Sequence, residues 1–159
     1  MSPRAAARLA ALGFTDVYDY VAGKADWGSA GLPLEGAEGS ETRAGAFARP
    51  DVPRFEPREA LQTVRRRVTG TGFDTCFVVD ADGVVLGRLG RTALASDADV
   101  LVDEAMTEGP STVRPSARLA EVVERMQRQN LSGLPVTTSD GRLVGLLTRA
   151  DAERALARL

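Results

Sequence analysis

The chain has no histidine, a single cysteine and an aromatic content of only 5%. Without histidine it lacks the usual general base near neutral pH, the usual partner of a Ser or Cys nucleophile and the commonest zinc ligand. Carboxylates remain, but no ordered cluster of Asp and Glu marks a metal cage. The sequence is therefore read as non-catalytic, needing no cofactor and holding no metal. Cys76 has no partner for an internal disulfide, which fits a reducing compartment. No nearby Lys activates it, so it reads as a small buried hydrophobe rather than a nucleophile.

Long apolar runs are also missing, and nothing approaches the roughly 20 residues that would span a bilayer. The opening MSPRAAARLAALGF is broken by Arg4 and Arg8 and reads as an amphipathic helix, not a signal peptide. Cytoplasm is the default location, with no membrane partner. A net charge of −2 and a pI near 5.3 give no general footprint for nucleic acid. The run Arg65-Arg66-Arg67 sits in a helical pattern and reads as a solvated face.

What is present is a repeat. Residues 53–94 lie on 111–152 without a gap at an offset of 58. Identities fall at Pro57/Pro115, Leu61/Leu119, Val64/Val122, Arg67/Arg125, Val78/Val136, Asp82/Asp140, Gly83/Gly141, Gly87/Gly145, Leu89/Leu147 and Arg91/Arg149. In the second copy Leu119, Val122, Val123, Met126 and Leu131 follow a helical period and predict one buried face. GLPVTTSDGRLVGLLT predicts two strands joined at Asp140-Gly141, where a tight hairpin needs positive φ. RADAERALARL then predicts a helix opened by Thr148. The first copy reads likewise, with its own Asp82-Gly83 turn and a shorter closing helix. One unit is too small to cover a two-strand sheet, so the pair is the expected folding unit.

VDEAM (102–106), STVRP (111–115), GLPV (133–136) and DGRLVGLLTRAD (140–151) resemble tandem cystathionine-β-synthase-type (CBS) domains, the pair known as a Bateman module. The second copy is a specific match and the first a degenerate one. The resemblance implies an α/β (α+β) fold of two βαββα repeats packed with pseudo-twofold symmetry, residues 51–101 and 102–159. It also implies clefts that bind adenosine-type nucleotides (AMP, ADP, ATP or S-adenosylmethionine) and a regulatory role, with a homodimer expected.

The residue chemistry stands beside this. An ionised carboxylate can accept a hydrogen bond from each of two ribose hydroxyls, which suits Asp151. The Thr148 hydroxyl and the helix N-terminus suit a phosphate, and Arg149 adds charge if it faces the cleft. By family analogy Thr112, Val113, Gly133, Leu134 and Pro135 flank the adenine. Thr148-x-x-Asp151 is equally close to a capping box with no ligand role, which leaves a dimerisation or assembly module as the alternative. The first copy has Gly90 and Ala93 at these places, so at most one competent site per chain is expected.

Residues 1–36 lie outside the repeat. Pro3 suits a helix start and Gly13 its end, DVYDYV predicts a strand, and GKADW begins another helical turn. AARLAALGFTDVYDYVAGKADWGSAGLP looks like the C-terminal end of a rhodanese domain, with Gly23, Trp27, Gly31 and Pro33 at that family's spacing. The catalytic cysteine of such domains is missing, which reduces any sulfurtransferase reading to a remnant. Two uses are expected for the segment: Leu9, Leu12, Phe14, Val17, Tyr20 and Trp27 dock on the pair or on a second subunit, or the segment is poorly ordered. Residues 37–50 are expected to be a flexible linker.

Overall fold

The computed structural model describes residues 3–18, 20, 23, 27–28, 32 and 42–158. Helices form where the apolar period predicts them. Leu61–Val68 buries Leu61, Val64 and Val68 and turns its arginines outward. Leu119–Arg128 buries Leu119, Val122, Val123 and Met126. The second of these ends at Asn130, φ 51°, where the Leu131 amide donates to the Met126 carbonyl at 2.8 Å. The same position in the first copy is Gly72, φ 79°; both satisfy the left-handed geometry that stops a helix.

Strands β1 (Arg54–Phe55), β2 (Cys76–Val79), β3 (Val85–Leu89) and β4 (Thr107–Glu108) form one sheet in that order, and β5 (Gly133–Thr137) pairs with β6 (Leu143–Thr148). The β2–β3 and β5–β6 hairpins turn where expected, but only Gly83 (φ 82°) and Gly141 (φ 86°) take positive φ. Asp82 and Asp140 do not. In both hairpins the glycine amide donates three residues back, to Asp80 and to Thr138, each at 3.0 Å. Asp80 N also donates to Val84 O and Thr138 N to Arg142 O, so each turn carries a glycine bulge, and a separate register shift lies further along each hairpin at Val78/Val79 and at Val136/Thr137.

The offset of 58 runs further than the sequence identities do. Leu61 N donates to Val100 O in one unit and Leu119 N to Thr42 O in the other. Val102 N to Glu59 O is matched by Ala44 N to Ala117 O. The bridge Ala60–Leu101 is matched by Arg118–Arg43, and the pairing of β3 with β4 by the bridge between Leu146 and Arg49. Each copy therefore begins near residue 42 or 100, and its opening segment packs on the other copy's helix and sheet. Residues 42–50 correct the linker reading: Ala44 is fully buried in the second unit's core, and Arg49 exchanges two hydrogen bonds with Leu146 at 2.8 and 3.0 Å. Residues 37–41 lie outside the described set.

The pseudo-twofold axis passes between the hairpin turns. Val84 bridges Arg142, a pair that maps onto itself under the offset, while Val85 N reaches Gly141 O and Leu143 N reaches Gly83 O, two bonds that map onto each other. A core lies inside each unit. A third cluster, formed by Val52, Phe77 and Val79 with Leu143 and Leu146, seals the seam. Such shared burial is what a pair of undersized units requires.

The N-terminal helix spans Pro3–Ala11, as its sequence predicts. The expected strand is not there: residues 16–18 and 20 adopt no strand, whereas Gly23 and Trp27 are helical. Docking on the pair is not seen for three of the six residues, since Leu12, Phe14 and Tyr20 are exposed at 62%, 60% and 38% within the single chain. Gly31 and Pro33 lie outside the described residues.

Candidate functional site

Strand β6 ends at Thr148, which is extended and caps the helix Arg149–Leu156. Its hydroxyl oxygen accepts from the Asp151 amide at 3.1 Å, while the hydroxyl proton goes to Asp151 Oδ2 at 2.7 Å. This is a side-chain N-cap made by the two residues read as ribose and phosphate contacts; the carboxylate takes the Thr148 hydroxyl proton, where a full capping box would take the Thr148 amide. Asp151 Oδ1 is held by Arg154. Both Thr148 and Asp151 remain half-buried, so a ligand would find the carboxylate already positioned at the helix start.

Arg149 does not supply the expected charge. Its Nε lies 3.9 Å from Glu153 Oε1, so it runs along its own helix. Gly133 pairs with Thr148 across the hairpin, and Gly133, Leu134 and Pro135 are all buried. A Cβ at Gly133 would meet the Leu147 carbonyl at 3.1 Å, so a larger residue here would press this strand start away from the end of β6 by a few tenths of an ångström. Gly133, Leu134 and Pro135 form one wall of a cleft of about 340 Å³. That volume falls at the low end of the roughly 300–1,000 Å³ usual for small-molecule sites.

The opposite wall comes from the first unit and includes Arg88 and Thr107, with Ser111 from the chain leading into the second. Thr112 and Val113 do not line the cleft. Val113 is a core residue bridged to Val136, and the Thr112 carbonyl accepts from Arg125 at 3.5 Å. Thr148 and Asp151 are not lining residues either; the hairpin register places Thr148 beside the Gly133 end of the wall. Of the predicted set, the structure thus brings Gly133, Leu134 and Pro135 into one cleft, with Thr148 and Asp151 at its margin.

Sequence reading missed Arg88. Its Nε donates to the Thr75 hydroxyl at 2.9 Å, and that hydroxyl donates to the Leu89 carbonyl at 2.9 Å. Thr75 is buried, and Arg88 is half-buried. The offset pairs Arg88 with Leu146 and Thr75 with Gly133, so a charged and a polar residue stand where the other copy has apolar ones. That mismatch was the available signal. A larger hollow of about 570 Å³ lies on the first unit alone, but its Arg65 and Arg91 are tied to Asp97 and Asp74 at 2.6 and 2.7 Å. Cys76 is fully buried, and its burial, reinforced by the charge of Glu59, pushes the thiol up to about 12. Among the described residues no group of three or more Cys, Asp or Glu side chains could hold a metal, and no helix is long and apolar enough to cross a membrane.

Residues 102–158 match the CBS domain family. The chain is 30% identical over 112 residues to the inosine-5'-monophosphate dehydrogenase of Korarchaeum cryptofilum, covering 69% of this chain and 23% of that one. It spans about a quarter of the length of that relative and of a further curated one, a Bacillus subtilis protein at 24%. Its fold is that of the crystal structure of CBSX2 in complex with AMP, with a TM-score of 0.66, 22% identity, and coverage of 73% of this chain and 96% of that one. The cytosolic domain of the Mg2+ channel MgtE in complex with ATP gives a TM-score of 0.65 and 26% identity, over 77% of this chain and 52% of that one. These comparisons lend no support to the rhodanese-like resemblance of residues 1–36.

Proposed function

With residues 102–158 forming a CBS domain inside a CBS-pair fold, we propose that the chain is a regulatory module that binds one adenosine-type nucleotide at the second unit. The carrying observation is the half-buried Asp151 carboxylate, fixed at a helix start beside the wall formed by Gly133, Leu134 and Pro135. The ribose hydroxyls would donate to it, displacing the Thr148 proton or the Arg154 contact. The base would lie against the apolar wall. Binding would bias the packing of the two units and, through it, an attached domain, a partner or a second copy of the chain. The relatives named above support the ligand class, since one is described with AMP and another with ATP.

The experiment is a thermal-shift panel of AMP, ADP, ATP and S-adenosylmethionine. A ligand at a hundred times its Kd stabilises the native state by about 2.7 kcal/mol, enough to move the melting temperature clearly. At least one compound is expected to do so; four flat responses would overturn the reading. The bond between the capping Thr148 hydroxyl and the Asp151 carboxylate favours a second reading, a ligand-free assembly module, in which Thr148 and Asp151 serve only the helix. Light scattering checks its main requirement, because a mass of one chain removes the homodimer.

A further inference from the structure

We propose that Arg88 is the phosphate-reading residue of the cleft, so that the two copies complete one site between them: the second supplies the ribose and base contacts and the first the cation. The inference rests on the adenosine-site reading and narrows its ligand class to nucleotides bearing a phosphate, as opposed to uncharged or sulfonium adenosine compounds.

Arg88 lines the same cleft as Gly133 and Pro135, and among the described residues no carboxylate pairs with its guanidinium. Two other arginines at cavities are satisfied differently: Arg65 and Arg91 each hold an aspartate. One Arg88 nitrogen is spent on Thr75, which fixes the side chain at its Nε edge and leaves the two terminal nitrogens to present a fork. A planar fork of this kind matches two oxygens of a phosphate. Thr75 is buried and bonded to the Leu89 carbonyl, so the orienting contact is built into β2 and β3. This also accounts for the charge that Arg149 fails to provide.

The test compares AMP, adenosine, ADP and inorganic pyrophosphate by titration calorimetry on the full chain, on Arg88→Gln and on Arg88→Lys, with circular dichroism confirming that both variants fold. The wild type is expected to bind AMP at least tenfold more tightly than adenosine. Arg88→Gln should remove that difference while leaving adenosine affinity within twofold, and Arg88→Lys should restore part of it. If AMP and adenosine bind equally and Arg88→Gln changes neither, this inference is overturned while the adenosine site stands. Pyrophosphate binding as tightly as ADP also overturns it, by making the cleft an anion site indifferent to the nucleoside. If no adenosine compound binds the wild type, both readings fall together.

Discussion

Gly87 and Gly145 occupy the same place in the two copies, yet what lies over them differs. A Cβ at Gly87 would strike the flexible Met106 side chain at its Sδ; at Gly145 it would strike backbone, the Arg49 carbonyl oxygen at 2.6 Å. The first unit is covered by a side chain that can move and the second by main chain that cannot. The same asymmetry recurs at the helix starts, where Thr148 caps a helix of eight residues but Gly90 makes no side-chain cap on a helix of four. One copy has kept a firm frame around a pair of polar groups. The other has lost those groups and acquired Arg88 and Thr75. Duplication followed by divergence thus separated holding the fold from offering chemistry.

The largest effect should come from breaking what the copies share. Phe77 is fully buried in the seam cluster, so Phe77→Ala should cost about 3–5 kcal/mol and loosen both units together in denaturant unfolding. Next, Gly145→Ala should cost about 2–3 kcal/mol and Gly87→Ala about 1 kcal/mol or less, because overpacking is expensive only where the neighbour cannot give way. Equal costs would remove the proposed contrast. Asp151→Ala should cost about 1 kcal/mol of stability as a lost cap, but should abolish the shift produced by a nucleotide; Ala93→Asp should confer none.

Two smaller effects follow from titration. The Cys76 thiol, held up to about 12, should resist alkylation of the native chain at pH 8 and react only after unfolding. The Asp140 carboxyl is held below its usual value, first by the Thr138 hydroxyl and then by Arg142. Its small stabilising contribution should be present above about pH 4 and lost as pH falls through the lowered value. Asp140→Asn should flatten that part of the urea-midpoint profile, and an unchanged profile would show that the exposed contact contributes nothing.

Helices and hairpins were legible because they depend on apolar period and on two Asp-Gly turns, which identities such as Gly83/Gly141 preserve, whereas the pseudo-twofold arrangement was implied by the family resemblance. The exchanged opening segments were not. Arg43–Pro50 and Leu101–Glu108 share a place but no residue, since their contacts are mostly backbone hydrogen bonds that almost any side chain permits. That freedom let a Gly- and Ala-rich stretch pass as a linker. Thr148 and Asp151 stood out because polar residues at a strand end are conspicuous. Arg88 hid inside a strand pattern, visible only when laid against Leu146. Arg149 was expected to add charge only if it faced the cleft, and its Nε lies 3.9 Å from Glu153 one turn on; spacing does not say which of two anions an arginine will take.

The central claim is one competent cleft per chain, and calorimetric titration of the wild type with AMP tests it most directly. The account predicts a single class of sites at one AMP per chain, absent in Asp151→Ala. A stoichiometry of two, or binding that survives Asp151→Ala unchanged, would contradict it.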